Sequence, residues 1–337
     1  MPTDLAIDAP CSFPLYVVPC LNEARHLSSL LTWLLCVQER LGGRIVVVDG
    51  GSTDGSQSIA GTRAARHDCL HLIRNPDRVQ SAGINRAVDA YGETATHLIR
   101  IDAHAAYPDD YCDVLLAEAE KVGASSVVVS MNAVGKGWVQ RSIAAAQNAP
   151  VGNGGSKHRL QAVGEFVDHG HHALMRLDAF RAVGGYDASF SHNEDAELDH
   201  RLRRAGYRIW LTGLTEVTYF PRETAQALWR QYFNFGVGRS KNVMKHRARP
   251  NARQVKVILV LPLVALAALY PASPFFAFPA VVWMSYCLTM ALERAWAARD
   301  ASLMLIAPLA MTMHVAWSIG FWWYVLKAPQ QLTQRPA

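Results

Sequence analysis

The sequence predicts an α/β domain on a mostly parallel sheet, followed by a C-terminal α-helical transmembrane region. Three observations carry the prediction. Short β-branched runs alternate with helical stretches through residues 14–130, which implies parallel strands joined by right-handed crossovers. Two acidic signatures, Val47-Val-Asp-Gly-Gly-Ser-Thr-Asp-Gly-Ser56 and Arg100-Ile-Asp-Ala-His104, each directly follow such a run, and the C-terminal ends of parallel strands face the crevice where open sheets bind nucleotides. Finally, residues 257–292 contain no Asp, Glu, Lys, Arg or His, and 301–326 are interrupted only by His314.

Pro14–Val18 reads as the first strand. Leu27, Leu30, Leu31, Leu34 and Leu35 recur at helical spacing and place a helix over Glu23–Leu41. Strands follow at Arg44–Val48, Cys69–Ile73, Thr96–Ile101 and Ser125–Ser130, with helices at Ser56–Arg66, Ser81–Tyr91 and Asp110–Val122 between them. Strict alternation of this kind implies a parallel sheet. Beyond residue 130 the pattern loosens: Gly152–Gly155 and Val163–His172 are loop-like, and Ala179–Val183 and Ala196–Ala205 are short helices.

A bilayer core takes about 20 apolar residues per helix, so 257–292 is too long for one span and fits two, turned at Tyr270-Pro-Ala-Ser-Pro274. With 301–326 this predicts two or three membrane helices, and Trp283, Trp322, Trp323 and Tyr324 suit an interfacial aromatic belt. The net charge of +5 is concentrated just before the first tract, where Arg239, Lys241, Lys245, Arg247, Arg249, Arg253 and Lys256 follow one another without an acid. Such a run marks a cytoplasmic flank that meets anionic headgroups, and its place beside apolar helices argues against a nucleic-acid patch. The apolar helices carry almost no ionisable groups to line a pathway, which disfavours a transporter. The six cysteines show no Cys-x-x-Cys spacing and read as reduced core residues. Asp4 and Asp8 stand where a signal peptide would be basic and apolar. The expected organisation is a leader at 1–13, a catalytic domain at 14–240, a basic linker at 241–256, a membrane region at 257–326 and a tail at 327–337, with the catalytic part cytoplasmic.

Asp49 ends a strand and enters a glycine-rich turn, where a carboxylate can accept a hydrogen bond from a base or a ribose hydroxyl. Ser52 or Asp54 suits the alternative task, capping the next helix, better than Asp49 does. Asp102 and His104 project to one side of an extended segment; oxygen and imidazole so placed can hold Mn²⁺ or Mg²⁺ against a diphosphate, whereas a plain surface turn is the alternative. Glu194 and Asp195 open a helix. Acids there complement the dipole, the reading that suffices for Glu197 and Asp199, but Asp195 is also placed to act as a general base. Of His169, His171 and His172, an extended strand sends the last two to opposite faces, so contact with an acceptor or phosphate is favoured over a zinc site.

Val18-Pro-Cys-Leu-Asn-Glu23, the Asp49 signature, Ile101-Asp-Ala-His104, Val183-Gly-Gly-Tyr-Asp187 and Asn193-Glu-Asp195 occur in an order that resembles family 2 glycosyltransferases of the GT-A fold, a Rossmann-like architecture. His169-Gly-His-His172 and Gln231-Tyr-Phe-Asn-Phe-Gly-Val-Gly-Arg239 are similar more narrowly to membrane-anchored enzymes that assemble succinoglycan-type bacterial exopolysaccharides. The resemblance implies that Pro19, Glu23 and Asp49 hold the uridine of a UDP-sugar donor, with Arg78 and Asn85 as further donor contacts. It implies that Asp102 and His104 hold a divalent cation and the diphosphate, and that Asp195 is the catalytic base. Glu194, Gln231 and Arg239 count among the substrate-binding residues. The usual Asp-x-Asp is here Asp-x-His, which shifts the metal preference towards Mn²⁺. The Gln-x-x-Arg-Trp motif of processive synthases is absent, which implies single additions.

The implied reaction is inverting transfer of a hexosyl unit, glucose before others, from a UDP-sugar to a saccharide on a polyprenyl diphosphate at the inner membrane. Arg239, Lys241 and Lys245 are expected beside the lipid diphosphate. The alternatives are a non-catalytic membrane scaffold that binds a sugar nucleotide, and an enzyme acting on a simple lipid or polyprenyl phosphate. A sugar-nucleotide pyrophosphorylase would open with a Gly-rich basic loop, which Pro19-Cys-Leu-Asn-Glu23 is not.

Overall fold

A computed structural model describes residues 13–156, 159 and 162–332. The expected leader, apart from Phe13, Cys11 and the tail beyond Leu332 lie outside the described residues. In chain order the elements are β1 (Pro14–Cys20), α1 (Ala24–Leu41), β2 (Arg44–Asp49), α2 (Ser56–Ala64), β3 (Leu70–Arg74), α3 (Gln80–Tyr91), β4 (His97–Arg100), β5 (Ala105–Ala106), α4 (Tyr111–Val122) and β6 (Ser126–Ala133). They continue as α5 (Trp138–Asn148), α6 (Pro150–Asn153), β7 (Glu165–Val167), β8 (His171–Arg176), α7 (Leu177–Ala182), α8 (Glu194–Arg204) and β9 (Ile209–Tyr219). Helices α9 (Ala225–His246), α10 (Ala252–Ile258), α11 (Val260–Leu266), α12 (Phe278–Ala298) and α13 (Ile306–Leu332) complete the chain. The chain forms two compact units, Met1–Val129 with Val163–Ala188 and Leu198–Thr215, and Ser130–Ala162 with Ser189–Glu197 and Glu216–Ala337.

The first unit is built on the sheet, whose strands run β3-β2-β1-β4-β8-β6-β9-β5, with β7 beside β9. β1 pairs in parallel with β2 and β4, and β2 with β3. Leu15, Tyr16, Val17 and Val18 are all without exposure, the mark of a strand covered on both faces. α1 buries Leu27, Leu30, Leu31, Leu34 and Leu35, the stripe its spacing predicts. On the other side Ile84, Ala87 and Val88 of α3 join Leu15, Val17 and Leu98 in one cluster with Leu198 and Leu202.

The sheet departs from strict parallelism at β8, which is antiparallel to both β4 and β6. Its first residues fall in the stretch expected to be a loop, which also contains β7. The physical reason is His172: a histidine reads as polar in the sequence, yet it is fully buried here because the fold supplies its hydrogen-bond partners.

The second unit is helical. α9 crosses α13 at two glycines: a Cβ on Gly236 would lie 2.0 Å from the Trp317 carbonyl oxygen, and one on Gly320 would lie 2.0 Å from that of Phe233. Backbones can approach this closely only where side chains are missing. Ile143, Ala146, Ala149 and Val151 pack with Ala307, Ala310 and Met313 of α13. His314, the one interruption of the last apolar tract, accepts from Trp283 Nε1 at 3.2 Å through Nδ1, while its Nε2 donates to the Val151 carbonyl at 2.8 Å.

Among the described residues three helical stretches are long and apolar enough to cross a membrane: Ala252–Leu269, Pro274–Ala298 and Ala301–Ala328. The first two are separated at Tyr270–Ser273, where the sequence places the turn. Pro262 interrupts the first. It has no N–H to give the Ile258 carbonyl four residues earlier, and α13 fills the gap: Ser318 Oγ and Trp322 Nε1 each donate to that carbonyl at 2.9 Å. Leu261 N in turn donates to Ser318 Oγ at 3.0 Å. Cys20, Cys36, Cys69, Cys112 and Cys287 are free thiols.

Candidate active site

Because β2, β1 and β4 lie side by side and run parallel, they deliver residues 49–52, 19–23 and 100–104 to one edge of the sheet. A cleft opens there, lined by Pro19, Glu23, Arg78, Gln80, Asp102 and His104 among others. Five residues expected at the donor site, Pro19, Glu23, Arg78, Asp102 and His104, thus meet in one place. Arg78, one of the lining residues, takes a left-handed backbone, φ 57°.

Asp49 is not part of that lining. It is almost fully buried, and its Oδ2 accepts from Gly51 N at 2.8 Å, Ser52 N at 3.1 Å and Gln57 Nε2 at 2.8 Å. The rest of this signature holds the start of α1. Ser52 Oγ accepts from Asn22 N at 2.8 Å, Ser56 Oγ from Glu23 N at 2.9 Å and Asp54 Oδ2 from Ala24 N at 2.9 Å. The N-cap of α2 is Gly55, φ 98°; Asp54 beside it still accepts from Ser56 N at 3.0 Å through Oδ1, so it serves the starts of both α1 and α2, whereas Ser52 serves α1. Asn85 also lies outside the lining. Its carboxamide donates to the Tyr186 carbonyl at 2.7 Å and accepts from Tyr186 N at 2.9 Å, which pins α3 to the Gly185-Tyr186 turn.

Asp102 is the most heavily supported group in the cleft. Arg100 Nε and Gln80 Nε2 donate to its Oδ1 at 3.0 and 3.1 Å, and His171 Nε2 lies 3.4 Å from its Oδ2. Burial would raise its pKa, but Arg100, then His171 and His104, outweigh burial and hold the carboxyl below the usual range. His104 Nδ1 meets Glu23 Oε1 at 2.9 Å, joining the β1 and β4 edges. Arg100 and Gln80 escape the sequence reading, which singles out His171 for acceptor or phosphate contact but does not place it beside Asp102. Arg100 alone had a signal, since residues two apart on a strand share a face.

His171 and His172 point to opposite faces, as the alternation of a strand requires. His172 meets Tyr186 OH through Nδ1 and Asp199 Oδ1 through Nε2, both at 2.7 Å, and His169 Nδ1 reaches Asp199 Oδ2 at 2.7 Å. Asp199 is therefore a buried partner of two imidazoles, and the reading of it as a dipole partner is corrected. Burial would raise its pKa, but His172 and then His169 prevail and hold it below the usual range. A depressed carboxylate contributes stability above its unfolded pKa of about 3.9 and loses it as pH falls through the lower folded value. Asp199→Ala is expected to cost about 3–5 kcal/mol and to weaken the acid-side fall of the thermal midpoint. A midpoint equal to the parent's at neutral pH would refute this account.

In the second unit, Glu194 and Asp195 are the first residues of α8, Glu194 buried and Asp195 half-buried. Gln231 Nε2 on α9 donates to Tyr219 OH at 3.0 Å, and Arg239 lies farther along the same helix.

The chain belongs to glycosyl transferase family 2, whose model matches residues 16–184. It is 50% identical, over 308 residues that cover 91% of this chain and 93% of its counterpart, to the succinoglycan biosynthesis protein ExoA of Rhizobium meliloti (strain 1021). The fold is shared with the mannosyltransferase PcManGT from Pyrobaculum calidifontis, solved with GDP-Man and Mn²⁺, at a TM-score of 0.54 and 19% identity over 92% of this chain and 87% of that one. It is shared also with GalNAc-T7, solved with UDP, GalNAc and Mn²⁺, at a TM-score of 0.51 and 14% identity over 68% of this chain and 48% of that one. The sheet is thus that of a GT-A-like glycosyltransferase, carrying three C-terminal helices apolar enough to cross a membrane.

Proposed function

We propose that this glycosyltransferase transfers a hexosyl unit, glucose first among candidates, from a UDP-sugar to a lipid-linked saccharide during assembly of a succinoglycan-type exopolysaccharide. The likeness to ExoA along 91% of the chain carries the reading, because it takes in the apolar helices as well as the cleft. Those helices and the basic stretch before them suit an acceptor held in the bilayer, with the cleft on the cytoplasmic side.

Pro19, Glu23 and Arg78 line the cleft and are assigned to the donor, with Asp49 shaping the loop that meets its uridine. Asp102 and His104 offer carboxylate oxygen and imidazole nitrogen on one wall, a donor set that suits Mn²⁺. Among the described residues no three His, Cys, Asp or Glu side chains converge on a metal position, so Asp102 and His104 are the pair assigned to hold the cation. A divalent cation held by Asp102 and His104 would supply Lewis-acid stabilisation of the charge on the departing diphosphate. Arg100, Gln80 and His171 keep Asp102 ionised and fixed. Asp195 takes the proton of the acceptor hydroxyl as that oxygen bonds to the anomeric carbon, and UDP leaves from the opposite face.

Membranes containing the protein, incubated with labelled UDP-glucose, UDP-galactose and GDP-mannose, are expected to move label from a UDP-sugar into the lipid fraction, and to do so only with Mn²⁺ or Mg²⁺. Transfer from GDP-mannose alone, transfer undiminished by EDTA, or nucleotide binding without turnover would each overturn part of the reading.

A further inference from the structure

Ser189–Glu197, the segment that leads into α8 and contains Asp195, groups with the helical unit, and α9 holds it at every turn. Asn193, in a left-handed backbone, donates from Nδ2 to the Phe235 carbonyl at 2.9 Å. A Cβ on Gly238 would lie 2.4 Å from the His192 carbonyl oxygen. Lys241 Nζ donates to Ser189 Oγ at 3.0 Å and to its carbonyl, and stands 4.3 Å from the ring centre of buried Phe190. Lys245 Nζ donates to Glu197 Oε1, and His246 Nε2 lies 3.0 Å from the same oxygen. The two lysines expected beside a lipid diphosphate therefore have protein partners, and Glu197, read as a dipole partner, is wholly buried.

A carboxylate with no exposure needs a cation to remain ionised at tolerable cost. Lys245, itself 37% exposed, supplies one from α9 to the first turn of α8. Gly236 and Gly238 are two residues apart, about 200° around a helix. One therefore faces α13 while the other faces the Asp195 segment.

We propose that Lys245, acting through Glu197, is a positioning residue for Asp195, so that α9 fixes the catalytic turn against the last apolar helix. The proposal rests on Asp195 as the base. Glu197→Gln and Lys245→Met each break the pair, and the full chain in detergent micelles is the material to test. Hydrogen exchange in a peptide spanning 189–197 is expected to quicken in both variants, a readout that needs no substrate. With UDP-glucose and a polyprenyl-diphosphate saccharide, kcat is expected to fall about 10- to 100-fold, the scale of a misplaced catalytic group, with both KM values near the parent's. The double variant is expected to be no worse than either single one, since both act through one pair.

Unchanged exchange, or effects that multiply in the double variant, overturns the proposal. So does a rise in acceptor KM for Lys245→Met without one for Glu197→Gln, which would put the ammonium on the lipid diphosphate instead. If Lys245→Met does not fold, Glu197→Gln carries the test, because the remaining ammonium can be hydrated. Full activity in Asp195→Asn would sink the base assignment alone and leave the exchange result to stand or fall by itself.

Discussion

Asp195→Asn is expected to lower kcat by about 10²- to 10⁴-fold, the usual contribution of a positioned general base, while the KM for UDP-glucose stays near the parent's. Asparagine keeps the size and one acceptor oxygen of the aspartate but cannot take up a proton at neutral pH, so the variant separates proton transfer from shape. The start of α8 is expected to stay folded, since Glu194 remains as an acid in its first turn. Asp102→Asn should behave differently. Asp102 lines the cleft and lies against Arg100, Gln80 and His171, so its loss should weaken donor and cation binding and raise the KM for UDP-glucose. If Asp195→Asn turns over normally in a folded protein, another group removes the proton; a pH–rate profile that loses its acidic limb in that variant alone would support the assignment.

Gly320→Ala is expected to lower stability by about 1–3 kcal/mol or more, the range for overfilling a packed contact. The Phe233 carbonyl oxygen would sit 2.0 Å from the new Cβ, far inside van der Waals contact, and a backbone carbonyl inside a helix cannot swing aside. α9 and α13 would have to separate, loosening the Phe233–Trp323 ring contact between them. Gly236→Ala meets the Trp317 carbonyl at the same distance and should cost a similar amount. The pair combined should cost less than the sum, because one separation relieves both overlaps. The thermal midpoint of the detergent-solubilised protein reads the effect, and a parental midpoint in both single variants would rule out this crossing.

Much of the fold is legible in the sequence because the parallel strands are covered on both faces and so read as unbroken apolar runs. Val46, Val47 and Val48 show this as plainly as Leu15–Val18. β8 is hidden for the converse reason, since its leading histidines are accommodated by Asp102 and Asp199, residues far away along the chain. The cleft is legible wherever a strand end delivers a residue directly, as for Pro19, Glu23, Asp102 and His104. It is illegible where the contact is made through space: neither Gln80 nor His171 carries a local sign that it belongs beside Asp102. Asp49 and Asn85 stand in between. Their motif positions are conspicuous, but their side chains bond to Gly51, Ser52, Gln57 and Tyr186, outside the lining of the cleft. Lys241 and Lys245 show the same limit, since a basic run looks alike whether it faces headgroups or, as here, Ser189 and a buried Glu197.

The proline in the first apolar stretch bears on the order of assembly. In a bilayer the Ile258 carbonyl has no water to turn to, and the groups that satisfy it, Ser318 Oγ and Trp322 Nε1, are supplied by α13. During synthesis the earlier helix therefore emerges with a polar defect that only a helix made later can mend. If the first apolar stretch crosses a bilayer, a ribosome-bound chain ending before residue 306 would lack both donors to that carbonyl, and secure insertion of the stretch would wait for α13.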